Sequence, residues 1–238
     1  MSLVFASSAR LRTGILAIVL AAFGGVALVP SAEARAGREP TACMELAVDY
    51  ARQLVALGDV EPLVVAQAEM LDRLDSIAAS AADPFDRLQE AQALLRGREG
   101  WALQREIRPV LRVLELQRSI VAGWRGLYCP VARPTGAAGL SGQERCDALA
   151  AGFVDRVRIE RPSALDTRAR EARDVERQTI LNAPVTRSER NDLLDLWRVR
   201  NESFETLKSL QRVVLLGSAA ETLLSATEAE GCINGRAS

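Results

Sequence analysis

The stretch Thr186–Gly231, TRSERNDLLDLWRVRNESFETLKSLQRVVLLGSAAETLLSATEAEG, decides the fold class. It opens on Thr186-Arg-Ser-Glu189, a capping box. There a threonine hydroxyl and a glutamate carboxylate each satisfy a backbone N–H that the first helical turn leaves open. Leu193, Trp197, Phe204, Leu207, Leu210, Val214, Leu223 and Leu224 then fall near one seam, with charged and polar residues between them. No proline interrupts the run to Glu230, and Gly231 stops it, glycine being the residue that most readily takes the left-handed turn after a helix.

Working outward, the same signals recur. Asn182-Ala-Pro184 is a turn. Ser163-Ala-Leu-Asp166 starts a helix after a break at Arg161-Pro162, and Ser141-Gly-Gln-Glu144 is a second capping box. Asp83-Pro84 places a capping side chain before the residue favoured at the first helical position. The helix it starts can run to about Tyr128, with Gly97, Gly100 and Pro109 expected to bend or loosen it. Pro62 opens another, with Leu63, Ala66, Met70, Leu74 and Ile77 on one face, and Thr41 caps a first helix that reaches Leu57 and ends at Gly58. Aromatic residues are 4% of the chain and β-branched alternation is scarce, so strands are not expected. The expected fold is all-α, antiparallel helical hairpins or a bundle of about six helices.

Four cysteines, Cys43, Cys129, Cys146 and Cys232, carry the next inference. An even count in an exported chain implies two disulfides, and no Cys-x-x-Cys pair supports redox chemistry. Cys43 to Cys129 and Cys146 to Cys232 are equally spaced, and the element order around the two pairs repeats. Laid over one another without gaps, the two stretches share nine identities, and Trp101 falls on Phe204 and Val110 on Val213. Spacing and order therefore suggest a repeat that identity does not establish. Two arrangements stay open. Tandem hairpins would be stapled Cys43–Cys129 and Cys146–Cys232; a single bundle admits Cys43–Cys232 with Cys129–Cys146.

The N-terminus reads as an export signal. Arg10 and Arg12 precede an uncharged apolar run from Gly14 to Val29, then Ala32-Glu33-Ala34 offers a signal-peptidase site. The run has 16 residues, short of the roughly 20 that span a bilayer. The expected organisation is a signal peptide over 1–34, helical region 1 over 35–129, a Pro/Gly linker over 130–141 and helical region 2 over 142–238. Basic and acidic side chains number 30 and 31 in the whole chain, which gives no global electrostatic reason to bind nucleic acid or anionic membrane. Between Glu144 and Arg177 eight arginines interleave with eight carboxylates, the pattern of a solvated helix face.

The chain contains no histidine. That removes Ser-His and Cys-His nucleophile pairs, His-ligated metals and the commonest general acid–base. No nucleotide-binding glycine motif and no EF-hand loop is present, and no cofactor or metal is expected. Carboxylate pairs occur at Asp72/Asp75, Asp83/Asp86 and Asp192/Asp195; capping explains the second and neighbours such as Arg73 the first. The Glu-Ser dipeptide of all-α lytic transglycosylases has one match, Glu202-Ser203, in a charged run without that family's surrounding motifs. Trp124 and Tyr128, four apart beside Cys129 on one helix face, and Trp197 and Phe204 in the long seam are the candidate interaction residues. The functional expectation is an exported, non-catalytic interaction or scaffold protein whose partner is another envelope protein. The alternatives are a carboxylate-based enzyme that cleaves wall glycan and a bundle that binds a small ligand.

Overall fold

The computed structural model describes residues 41–130, 140–158 and 164–232. The segment read as a signal, residues 131–139 of the linker, and the break at Arg161-Pro162 with Ser163 lie outside them. Seven helices and no strand are found among the described residues: α1 (Ala42–Val55), α2 (Glu61–Ala78), α3 (Pro84–Arg96), α4 (Arg98–Gly126), α5 (Gly142–Arg158), α6 (Ala164–Asn182) and α7 (Arg187–Ala229).

The helices begin where the caps were read. Thr41 accepts the Met44 N–H, Asp83 accepts the Phe85 N–H with Pro84 in the first turn, and Thr186 and Glu189 form both halves of their box. The Thr186 hydroxyl and N–H hold the Glu189 carboxyl below the usual carboxylate range. The helix expected from Asp83 to Tyr128 breaks into α3 and α4 at Gly97, whereas Pro109 sits inside α4 without ending it. Pro109 is exposed, so water can reach the carbonyl that its missing N–H leaves open. The break requires glycine at position 100, where a Cβ would lie 2.4 Å from the Leu95 carbonyl oxygen.

Helix α7 packs against each of the other six, and α5 packs against α1 and α4. The two helical regions therefore share one core, in which Tyr50, Met44, Leu74, Ile107 and Leu210 are fully buried. The buried seam of α7 runs through Leu196, Phe204, Leu210, Val213, Leu216, Ala220 and Leu223. Of the eight residues expected on that seam, Phe204, Leu210 and Leu223 are buried, whereas Leu193, Trp197, Leu207, Val214 and Leu224 are only half-buried.

Cys43 bonds Cys129 and Cys146 bonds Cys232, each across 86 residues, which rules out the pairing of Cys43 with Cys232 and Cys129 with Cys146. The two staples lie at one end of the bundle, where the Thr41 hydroxyl donates to the Asp147 carboxylate at 2.9 Å.

A shift of 103 residues lays Cys43 on Cys146 and Cys129 on Cys232, and it relates far more than the cysteines. Buried Ala47, Val48, Tyr50, Ala51 and Leu54 of α1 fall on buried Ala150, Ala151, Phe153, Val154 and Val157 of α5. In α4 and α7, Ile107, Val110, Gln117 and Ile120 fall on Leu210, Val213, Ala220 and Leu223, all buried. The capping Asp83 falls on Thr186. Arg87 donates to the Ala78 carbonyl at 2.8 Å, and Arg190, its counterpart, to the Ala183 carbonyl at 3.0 Å, each closing the turn before its own helix. The two helix ends also match. Cys129 donates to the Trp124 carbonyl and Tyr128 to that of Arg125, as Cys232 does to Thr227 and Gly231 to Glu228. Both are Schellman ends, in which a left-handed residue lets the chain bond back onto the last turn. Caps and the burial pattern of these helices support a repeat where identity does not, although Trp101, which falls on buried Phe204, is 61% exposed.

Candidate functional site

The four aromatic residues expected at an interaction surface occupy two places. At the stapled end, Trp124 is buried and its indole N–H donates to the Pro130 carbonyl at 3.1 Å. Tyr128 does not share its face, because α4 ends at Gly126 and Tyr128 lies beyond it with φ 54°. Its side chain is 94% exposed, beside Leu127 at 49%. A cavity of about 90 Å³, with Val121, Trp124 and Val154 on its apolar side and Arg125, Asp155 and Arg158 also lining it, opens between α4 and α5 near the same staple. It has room for a small aliphatic group, far below the several hundred Å³ of an ordinary ligand pocket.

Tyr128 is an outlier. A bulky side chain at positive φ is uncommon, because its Cβ crowds the following carbonyl. Gly231, at the equivalent position of the second copy, has φ 66° and no such crowding. The fold accepts glycine there, so the geometry of the end alone does not call for tyrosine.

The second place is the face of α7 beneath α6. Phe204 is buried and Trp197 half-buried. The Arg173 guanidinium lies 4.3 Å from the Phe204 ring centroid and that of Arg177 5.7 Å from the Trp197 ring. The Trp197 indole N–H donates to the Arg173 carbonyl at 3.1 Å. Arg200 bridges three helices, donating to Asp75 of α2 at 2.7 and 2.8 Å and to Glu176 of α6. Burial alone would lower its pKa, but hydrogen bonds and the charges of Glu176 and Asp75 outweigh that and hold it above the usual guanidinium range. Arg173 is lowered, first by burial and then by the adjacent Arg200 charge, with Asp75, Glu176 and Glu205 acting the other way.

Asp75 therefore pairs with Arg200, whereas the sequence assigned it to a neighbour such as Arg73; Arg73 pairs with Glu99 at 2.9 Å. The mixed-charge stretch is not simply a solvated face, since its arginines cover aromatic rings. The signal that locates them is the 103-residue shift, which places Arg173 and Arg177 on Met70 and Leu74, both buried.

Glu202 is exposed, while Ser203 is turned into the core and its backbone carbonyl accepts the Gln67 side-chain amide at 3.0 Å. The dipeptide does not converge on a common cleft. A groove between α2 and α3, lined by Arg73, Ile77, Glu90 and Leu94, is open to solvent. Among the described residues no group of three His, Cys, Asp or Glu could hold a metal, and all four cysteines are in disulfides. No helix among them is long and apolar enough to cross a membrane. Disulfides of this kind form and persist in an oxidising compartment. Compared with protein-family models, curated proteins and solved structures, the chain matches none.

Proposed function

We propose that this is an exported, non-catalytic interaction or scaffold protein of the cell envelope, and that Tyr128 is the anchor of its contact surface. Tyr128 carries the reading: a large aromatic side chain is held in solvent at a strained backbone position where the second copy uses glycine. Strain of that kind persists where a role outside folding keeps it. Aromatic side chains with an apolar body and a polar tip are the commonest anchors of protein interfaces. Leu127 widens the exposed apolar surface, and the neighbouring cavity offers a seat for a small partner side chain. The partner in this reading is another envelope protein, neither nucleic acid nor membrane. The N-terminal segment 1–34 serves as a cleaved signal that delivers the chain to where its disulfides form.

The test is affinity capture from the envelope fraction of the source organism with the wild-type chain and Tyr128→Gly in parallel. A partner held by wild type and lost from the well-folded variant supports the reading. An identical capture profile removes Tyr128 from it. N-terminal sequencing of the mature protein checks the cleavage site, and peptidoglycan turnover by the purified protein would instead favour the glycan-cleaving alternative.

A further inference from the structure

Helix α6 and helix α2 are the same element in the two copies, Glu61–Ala78 falling on residues 164–181. They are attached in opposite ways. α2 inserts Gln67, Met70, Leu71 and Leu74 into the core. The same four positions of α6 are Arg170, Arg173, Asp174 and Arg177, and none of the described side chains of α6 is fully buried. Among its described side chains α6 is held mainly by charge, together with the hydrogen bond from the Trp197 indole N–H to the Arg173 carbonyl. Arg173 and Arg177 lie over the two rings, Arg170 pairs with Glu205 at 3.3 Å, and Glu176 pairs with Arg200. Solvent reaches the Arg170–Glu205 pair and Arg177, so those contacts are individually weak and screened by salt, whereas the Arg200–Glu176 pair and Arg173 over buried Phe204 are screened less.

The rest of the bundle does not need α6 in place. Met70 and Leu74 of α2 belong to the shared core, Gln67 holds the Ser203 carbonyl, and Asp75 holds Arg200 by contacts that do not involve α6. The Cys146–Cys232 bond ties the first turn of α5 to the residues just past α7, so a departure of α6 cannot separate its neighbours.

We infer that α6 is a detachable flap, lifting from α7 as a unit while the other helices stay folded and uncovering the Trp197–Phe204 face and one side of Arg200. The opening is a property of the isolated protein and does not depend on Tyr128 contacting a partner, so either idea can fail alone.

Hydrogen exchange read by mass spectrometry, on the disulfide-intact protein at about 0.05 M and about 0.5 M sodium chloride, measures it. Amides of residues 168–182 are expected to exchange at least about tenfold faster than those of residues 65–78, and the gap to widen with salt. Hydroxyl-radical footprinting of the same samples is expected to show Trp197 and Phe204 labelled increasingly as salt rises. Equal protection of α6 and α2 overturns the inference. So does fast exchange of α6 with Trp197 and Phe204 still shielded, since that describes a helix fraying in place. The pair Arg173→Met and Arg177→Met, which keeps the aliphatic stems and removes the charge, is expected to reduce the salt dependence, the Arg170–Glu205 and Arg200–Glu176 pairs carrying the rest. The wild-type salt series stands alone if that variant misfolds.

Discussion

Replacing Tyr128 by glycine removes a side chain that is almost fully exposed and so loses almost no packing. It relieves a left-handed conformation that costs an ordinary residue roughly 1–2 kcal/mol. Glycine returns roughly 0.5–1 kcal/mol of that through the larger freedom of the unfolded chain. The expected net effect is a gain of about 0.5–1 kcal/mol, which for a chain of this size raises the melting temperature by about 1–4 °C. Gly231→Ala is the reciprocal change. A Cβ there meets nothing within 4 Å, so no steric gain or loss complicates it, and with φ 66° the full backbone penalty applies. It should cost about 1 kcal/mol. Urea unfolding with both disulfides intact reads the two, as midpoints shifted in opposite directions at an unchanged slope. A destabilised Tyr128→Gly would refute the reasoning. The ring would then be contributing more to the fold than its conformation takes away, and its exposure would no longer point to a partner.

Removing either staple by paired Cys→Ser substitution should cost about 4–5 kcal/mol in the chain-entropy account, nearly equal for the two because both close 86-residue loops; unequal losses in denaturant unfolding would mean that native packing, not loop closure, sets the value. Gly100→Ala forces a methyl group onto the Leu95 and Leu94 carbonyls and should cost about 2 kcal/mol or more, whereas Gly152→Ala, where a Cβ meets nothing, should be neutral or stabilising; thermal melts distinguish them. Tyr50 is fully buried, and its hydroxyl finds no hydrogen-bond partner among the described residues. Burial pushes its pKa up to about 12, with Arg212 acting the other way. The unfolded chain therefore releases this proton near pH 10 while the folded one keeps it, so stability is complete below pH 10 and falls as pH rises toward 12, by about 1 kcal/mol at pH 11. Tyr50→Phe should leave stability at pH 8 unchanged or up by about 1 kcal/mol and flatten that alkaline loss, as Phe153, the residue at the equivalent position, already has no hydroxyl to satisfy.

Helix starts and the class of fold were legible in the sequence because capping is local chemistry: Thr41, Asp83 and Thr186 bond to backbone two or three residues away whatever the rest of the chain does. The seam of α7 was legible only in part, at Phe204, Leu210 and Leu223, since the helix faces six others in turn and a single stripe cannot describe that. Pro109 and Gly97 show why breaks were harder. Both residues weaken a helix, and which one ends it depends on whether water or a neighbouring carbonyl is close, a tertiary fact. The candidate site was hidden for a related reason. Tyr128 was read as continuing the face of Trp124 because nothing local marks Gly126 as a last helical residue; only the overlay on Gly231 shows that position as a left-handed end. That overlay also says where function should be sought. Positions such as Ile107 and Leu210, or Arg87 and Arg190, do the same work in both copies and are fixed by the fold. Where the copies diverge, one member still serves the fold and the other is released from it: glycine against tyrosine at the helix end, an apolar against a charged face in α2 and α6. Selection acting only on stability would remove the strained tyrosine and bury the charged helix, which is why the proposed contact at Tyr128 and the proposed opening of α6 both fall on these two departures.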